Sequence, residues 1–158
     1  MNDAEIKDSY PQIDLVKLNI PLEGFYNFIG CWIYYSGNQT ILVDPGPRNT
    51  IATLVNALRE RGIKNIDYIL LTHIHIDHAG GVGLLLRYYP EAQVICHPEG
   101  IPHMIAPAKL WASSLKMLGP IAEAYGEIEP IPAGNISYTK KIALAGIIIN
   151  VLERWQAP

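Results

Sequence analysis

The stretch "LLTHIHIDHAGG", Leu70–Gly81, places three of the chain's five histidines and one aspartate within the six residues His73–His78, and two glycines follow. In an extended segment alternate side chains share a face, so His73, His75 and Asp77 project one way while Ile74 and Ile76 project the other, toward a core. The apolar run "DYILLT" just before it reads as a buried strand, and the ligand fan emerges where that strand stops. His78 then falls where the next helix begins, near its positive end. Gly80 and Gly81 lack Cβ atoms and permit close backbone approach.

The donors in this cluster are nitrogen and oxygen, with no thiolate. Such a set suits zinc, with iron or manganese as further candidates. A divalent metal lowers the pKa of its water to about 7, which gives a hydroxide nucleophile at neutral pH. Four ligands on one short loop exceed what a single catalytic ion takes from one segment, so the spacing points to two ions. The rival reading is a solvated loop in which each histidine is hydrogen-bonded separately.

Outward from the motif, the chain alternates strands and helices. Val16, Leu18 and Ile20 alternate with polar residues and predict a strand ending at Pro21. "CWIYY" and "TILVD" flank the turn "SGNQ" and predict a hairpin. Ile51, Leu54, Val55 and Leu58 mark an amphipathic helix over Thr50–Arg61, with Asn49 or Thr50 as its cap and Gly62 at its end. Val82, Leu85, Leu86 and Tyr89 give a second helix, stopped by Pro90, and "AQVIC" a further strand. Pro107 opens a helix carrying Leu110, Trp111, Leu115 and Leu118, of which Trp111, Leu115 and Leu118 read as core sooner than as a recognition platform. The span from Gly119 to Asn135, rich in Pro and Gly, carries no clear pattern, and "ALAGIIINVL" reads as one or two strands. The fold class is α/β with at least two sheet segments.

Bulk properties exclude some roles. The 158 residues suffice for one domain with a real core, and 49% hydrophobic with 17% charged residues is a globular composition. A net charge of −3 gives no electrostatic argument for nucleic acid or an anionic membrane as a partner. The start "MNDAEIKDSY" lacks a secretory pattern, and the longest apolar runs are too short to span a bilayer, so a cytoplasmic location is expected. Cys31 and Cys96, far apart, fit buried reduced thiols better than a disulfide. His97, after a strand end, is a possible site-lining residue or a surface loop histidine. His103 is open to the same two readings, with a third as a substitute ligand.

Thr72-His-Ile-His-Ile-Asp-His-Ala-Gly-Gly81 resembles the T-H-x-H-x-D-H-x-G-G signature of the metallo-β-lactamase superfamily, and "ILVDPGP" resembles that superfamily's strand-turn bearing an aspartate, here Asp44. The order of elements agrees over most of the chain. The resemblance implies an αββα sandwich with the metal site at one edge of its sheets. It implies that His73 and His75 bind a first zinc, that Asp77 and His78 bind a second, and that Asp44 braces the ligand loop from behind. It also implies a third histidine for the first site, a bridging aspartate and a last histidine, beyond a late strand that "IIINVLERW" matches. No residue after it matches them, so residues 1–158 are expected to form a single, incomplete domain. The activity implied is a metal-dependent hydrolase with Asp77 orienting the nucleophile, acting on an ester, thioester or related small molecule, as hydroxyacylglutathione hydrolases do. Alternatives are a phosphodiesterase or nuclease of the same superfamily, which the acidic balance disfavours, and a diiron oxidoreductase, which His75 disfavours. A last alternative is an inactive fragment that pairs with a second copy through exposed sheet edges.

Overall fold

A computed structural model describes residues 12–36, 39–144 and 147–151. The polar start, Gly37 and Asn38 of the expected hairpin turn, and the end of the late strand beyond Val151 lie outside the described residues. Among the described residues, six strands form one sheet in sequence order: β1 (Gln12–Leu18), β2 (Ile29–Ser36), β3 (Gln39–Val43), β4 (Tyr68–Leu70), β5 (Gln93–Ile95) and β6 (Ile136–Ser137). The first three run antiparallel, and β3 to β6 run parallel. A hairpin of β7 (Lys141–Leu144) and β8 (Ile147–Asn150) forms a second sheet, two-stranded among the described residues, so the described part of the tail holds two strands.

Each parallel step needs a crossover, and the helices supply it. Between β3 and β4 lies a 3-10 turn, Arg48–Thr50, continued by α1 (Ile51–Glu60). Ile51, Leu54, Val55 and Leu58 are all buried, as the periodicity predicts. Full burial of each such side chain contributes about 1.5–3 kcal/mol. Thr50 does begin this helix, but its hydroxyl donates to the Pro47 carbonyl (2.9 Å) instead of capping an amide. Gly62, at φ +72°, ends it, where a Cβ would strain the turn.

Between β4 and β5 lie α2 (Ile76–Ala79) and α3 (Val82–Leu86). Between β5 and β6 lie α4 (Ile101–Ile105), α5 (Ala108–Leu118) and α6 (Pro120–Tyr125). The stretch without a clear pattern therefore holds a helix, α6, and a 3-10 turn over Ala133–Asn135. The stripe expected to be core on α5 is not buried. No residue of α5 is buried: Leu110, Trp111 and Leu115 are half-buried against the core, and Leu118 is exposed. A helix with an apolar stripe on one side can lie over the rim of a core as well as within it, and periodicity does not distinguish the two.

The sheet separates two apolar layers. On the helix side Cys31, Ile33, Leu42, Ile69 and Val94 meet the buried faces of α1 and α3. On the opposite side Ile41 and Ile95 meet Ile142 of the hairpin, with Tyr34, Tyr68, Leu70, Ile149 and Val151 around them. The layers run in the order helices, six-stranded sheet, hairpin. Farther along the same face, at β1 and β2, Ile13 and Trp32 are exposed.

The parallel strands set the position of the site. Asp44 follows β3, the histidine loop follows β4, His97 follows β5 and Tyr138 follows β6. All four leave the sheet at its carboxyl edge, where crevices form in α/β sheets.

Candidate metal centre

The register of β3 on β4 pairs Val43 with Leu70, and the ladder continues one step through the Asp44 amide, which donates to the Leu70 carbonyl (3.0 Å). Asp44 then turns into the left-handed region, at φ +50°, which aspartate tolerates better than most residues. The turn carries its carboxylate toward the histidine loop. Gly46 follows at φ +92°. Its N–H donates to the His78 carbonyl (2.9 Å), and its own carbonyl accepts from the Gly81 N–H (2.9 Å). These two bonds clasp the aspartate turn to the motif.

The motif folds differently from a continuing strand. β4 ends at Leu70, three residues before the first histidine. His75 is extended, at φ −60° and ψ 146°, and the extended backbone stops there. The His75 carbonyl accepts from the amides of His78 (3.0 Å) and Ala79 (2.8 Å), so a helical turn starts at Ile76. Asp77 and His78 are therefore placed by α2, and His73 and His75 by the loop before it. Ile76 is buried beneath them as expected, and Ile74 packs on the core.

The three imidazoles lie together. His73 and His78 have ring centroids 4.2 Å apart, and His73 and His75 4.7 Å. Asp77 Oδ2 lies 3.5 Å from His78 Nε2. Asp44, buried, meets the other side of the cluster. Its Oδ1 accepts the Thr72 N–H (2.9 Å), and its Oδ2 accepts the Thr72 hydroxyl (2.6 Å) and faces His78 Nδ1 (3.1 Å). Thr72 Oγ1 lies 3.0 Å from His73 Nδ1.

The electrostatics follow from these contacts. The hydrogen bond to Asp44 raises the pKa of His78; burial opposes this, and the charges of Asp77 and Asp44 add to it. Burial, then the neighbouring imidazoles of His78 and His75, lowers the pKa of His73 and favours its neutral form. Burial is the largest single influence on Asp44 and pushes its pKa up. The hydrogen bonds from His78 and Thr72 together outweigh it, so the carboxyl stays ionised.

Several of these residues could hold a cation. One donor atom each from Asp44, His73 and His78 lies within 4.8 Å of the other two. The pair formed by Asp77 Oδ2 and His78 Nε2 also fits: two ligands of a tetrahedral ion with bonds of about 2.1 Å stand about 3.4 Å apart. Asp44 Oδ2 already meets two partners and its Oδ1 one, which suits a brace more than a ligand. The donor set is nitrogen and oxygen. Cys31 lies near enough to Asp44 to feel its charge, but burial first, and that charge second, push its thiol far above the ordinary range. Cys31 and Cys96 are both buried and unpaired.

The remaining candidates are placed less centrally. His97 stands at the same sheet edge, with its ring 6.4 Å from that of Tyr138, and its Nδ1 accepts from the Glu99 N–H (3.3 Å). The loop it starts reaches the motif through Gly100, where a Cβ would stand 2.9 Å from the Ile74 side chain. His103 is exposed on α4. One residue near the site had no sequence signal. Tyr125, buried at the end of α6, packs where that helix meets α2. Burial first, and the Asp77 charge second, raise its pKa, so it stands near Asp77 as a neutral phenol. Its position depends on Asn49, whose side chain donates to the Ala124 carbonyl (3.0 Å).

A mixed sheet with a histidine and aspartate cluster at the carboxyl edge of its parallel strands defines the class of α/β protein to which this chain belongs. The chain belongs to the metallo-β-lactamase superfamily, whose family model matches residues 27–148. Among solved structures, a superfamily protein from Sulfolobus tokodaii shares the fold with a TM-score of 0.71 and 23% identity, over 87% of this chain and 53% of that one. The BLEG-1 B3 metallo-beta-lactamase shares it with a TM-score of 0.63 and 20% identity, over 88% of this chain and 59% of that one. Among curated proteins, one named "Probable metallo-hydrolase" from Methanocaldococcus jannaschii is 34% identical over 79 residues, half of this chain and 38% of that protein. A hydroxyacylglutathione hydrolase from Tolumonas auensis is 41% identical over 63 residues, 40% of this chain and 23% of that enzyme. The chain thus spans well under half the length of these two curated relatives. Among the described residues, no helix is long and apolar enough to cross a membrane.

Proposed function

We propose that this chain carries the metal-binding loop of a metal-dependent hydrolase that opens an ester or thioester, with residues 1–158 forming one unit of that domain. The observation that carries the reading is the setting of His78. One ring nitrogen faces the buried carboxylate of Asp44, and the other faces Asp77 at 3.5 Å, a spacing that suits two ligands of one ion. A solvated loop of separate histidines has no need of a buried carboxylate behind it, since burying that charge is costly unless it is paired.

In this reading His73 and His75 hold one ion and Asp77 and His78 a second, with zinc favoured by the donor set and iron or manganese as alternatives. Ions held there would supply Lewis acidity and would lower the pKa of water to about 7. The residues of the chain do the rest. Neutral His73 offers a lone pair without first losing a proton. Asp77 orients the attacking water and accepts its proton. Asp44 fixes the His78 ring. The thioester preference is supported by the likeness to hydroxyacylglutathione hydrolases and by no residue that contacts a substrate.

Protein loaded with zinc is expected to retain the metal through gel filtration and to hydrolyse a hydroxyacylglutathione thioester. Removal of zinc by a chelator abolishes the reaction and re-addition restores it. Metal analysis and a thiol-release assay check this. A protein that holds no metal under metal-replete conditions overturns the reading, and metal retention without thioester hydrolysis overturns only the substrate class.

A further inference from the structure

We propose that Thr72 is a positioning residue that fixes the ring tautomer of His73 by relaying the Asp44 carboxylate. An ionised carboxylate oxygen can only accept, so the contact of 2.6 Å between Thr72 Oγ1 and Asp44 Oδ2 consumes the single proton of the hydroxyl. The same hydroxyl oxygen faces His73 Nδ1 at 3.0 Å. With its proton committed, it can only accept there. His73 must then carry its proton on Nδ1 and leave Nε2 bare. Asp44 Oδ2 sets His78 in the same way, directly, through the contact of 3.1 Å with Nδ1. One carboxylate oxygen thereby turns the Nε2 lone pairs of two imidazoles outward, and the Thr72 N–H, donating to Oδ1 (2.9 Å), keeps the carboxylate from rotating.

This arrangement explains a hydroxyl at position 72 that burial does not demand, since the residue is exposed. It predicts which replacements are tolerated. Valine keeps the β-branched shape but cuts the relay. Serine keeps the relay but loses the methyl group.

The inference rests on the metal-site reading above, and two readouts separate the two. The first is ¹⁵N NMR of the imidazoles in zinc-free protein at about pH 8. The wild type and Thr72→Ser are expected to show His73 protonated on Nδ1, and Thr72→Val a mixture of tautomers. The second is zinc titration against a competing chelator. Thr72→Val is expected to bind about 10–100-fold more weakly, as when an outer partner of a ligand is removed, and Thr72→Ser to stay near the wild type. Nε2 protonation of His73 in the wild type overturns the relay, whether or not Thr72→Val folds. A Thr72→Val protein with wild-type affinity and an unchanged tautomer overturns it as well. A wild type that binds no zinc, yet shows Nδ1–H on His73 that Thr72→Val loses, supports the relay while removing the metal reading.

Discussion

Replacing His78 by alanine is expected to weaken zinc binding at least about a hundredfold and also to destabilise the metal-free protein, whereas His75→Ala is expected to do only the first. Structural zinc sites bind with about 10–16 kcal/mol, so each of four ligands is worth about 3 kcal/mol, a factor of ~100 or more. Both histidines are proposed ligands, and both should show that loss. They differ in what stands behind them. His75 is exposed, and its ring meets that of His73. Removing it should change metal-free stability by less than about 0.5 kcal/mol. His78 faces the buried carboxylate of Asp44 at 3.1 Å. Removing it leaves that charge with the two hydrogen bonds from Thr72, at a cost of about 1 kcal/mol, the low end for a buried acceptor that loses a partner. Competitive zinc titration and thermal melts in chelator read the two effects separately. Equal melting of the two variants would mean that the Asp44 contact contributes nothing, and wild-type zinc affinity in both would remove the loop as a metal site.

Gly81→Ala is expected to cost about 2–4 kcal/mol and to weaken metal binding with it. A Cβ at Gly81 would stand 2.6 Å from Ile51 Cγ1 and 2.8 Å from the Gly46 carbonyl oxygen, with Ile51 Cδ1 closer still. Ile51 is fully buried at the start of α1, so it cannot swing away. The Gly46 carbonyl is the acceptor of the Gly81 N–H at 2.9 Å, one half of the clasp between aspartate turn and motif. An added methyl must open that clasp, and opening it moves Asp44 away from His78. Gly134→Ala is the control, because a Cβ there meets nothing within 4 Å. It should leave both melting and zinc affinity unchanged. A Gly81→Ala protein that melts with the wild type would show that the clasp is loose enough to absorb a methyl group, and the close approach would lose its meaning.

The motif was legible because its chemistry is local. Three histidines and an aspartate in six residues suggest a ligand loop before any fold is known. The buried face of α1 was legible for a similar reason, since Ile51, Leu54, Val55 and Leu58 recur at helical spacing and all four are buried. What failed needed distant information. The alternation of His73, His75 and Asp77 predicts one shared face only if the strand continues, yet β4 stops at Leu70 and a helical turn carries Asp77. The stripe on α5 reads as core, but where that helix lies depends on the helices around it. Tyr125 lies within reach of the Asp77 charge through contacts of α6 with α2 and with Asn49, some 75 residues earlier in the chain. Thr72 stood in the motif as a letter, and its role needed the carboxylate of Asp44 from the neighbouring strand.

The central claim is that His73, His75, Asp77 and His78 converge on bound metal. Anomalous diffraction at the zinc edge from crystals soaked in zinc tests it most directly. Anomalous density is expected between Asp77 and His78 Nε2, with His73 and His75 turned toward a neighbouring peak and Asp44 still hydrogen-bonded behind His78. Four side chains splayed apart with only water between them, after soaking, would contradict it.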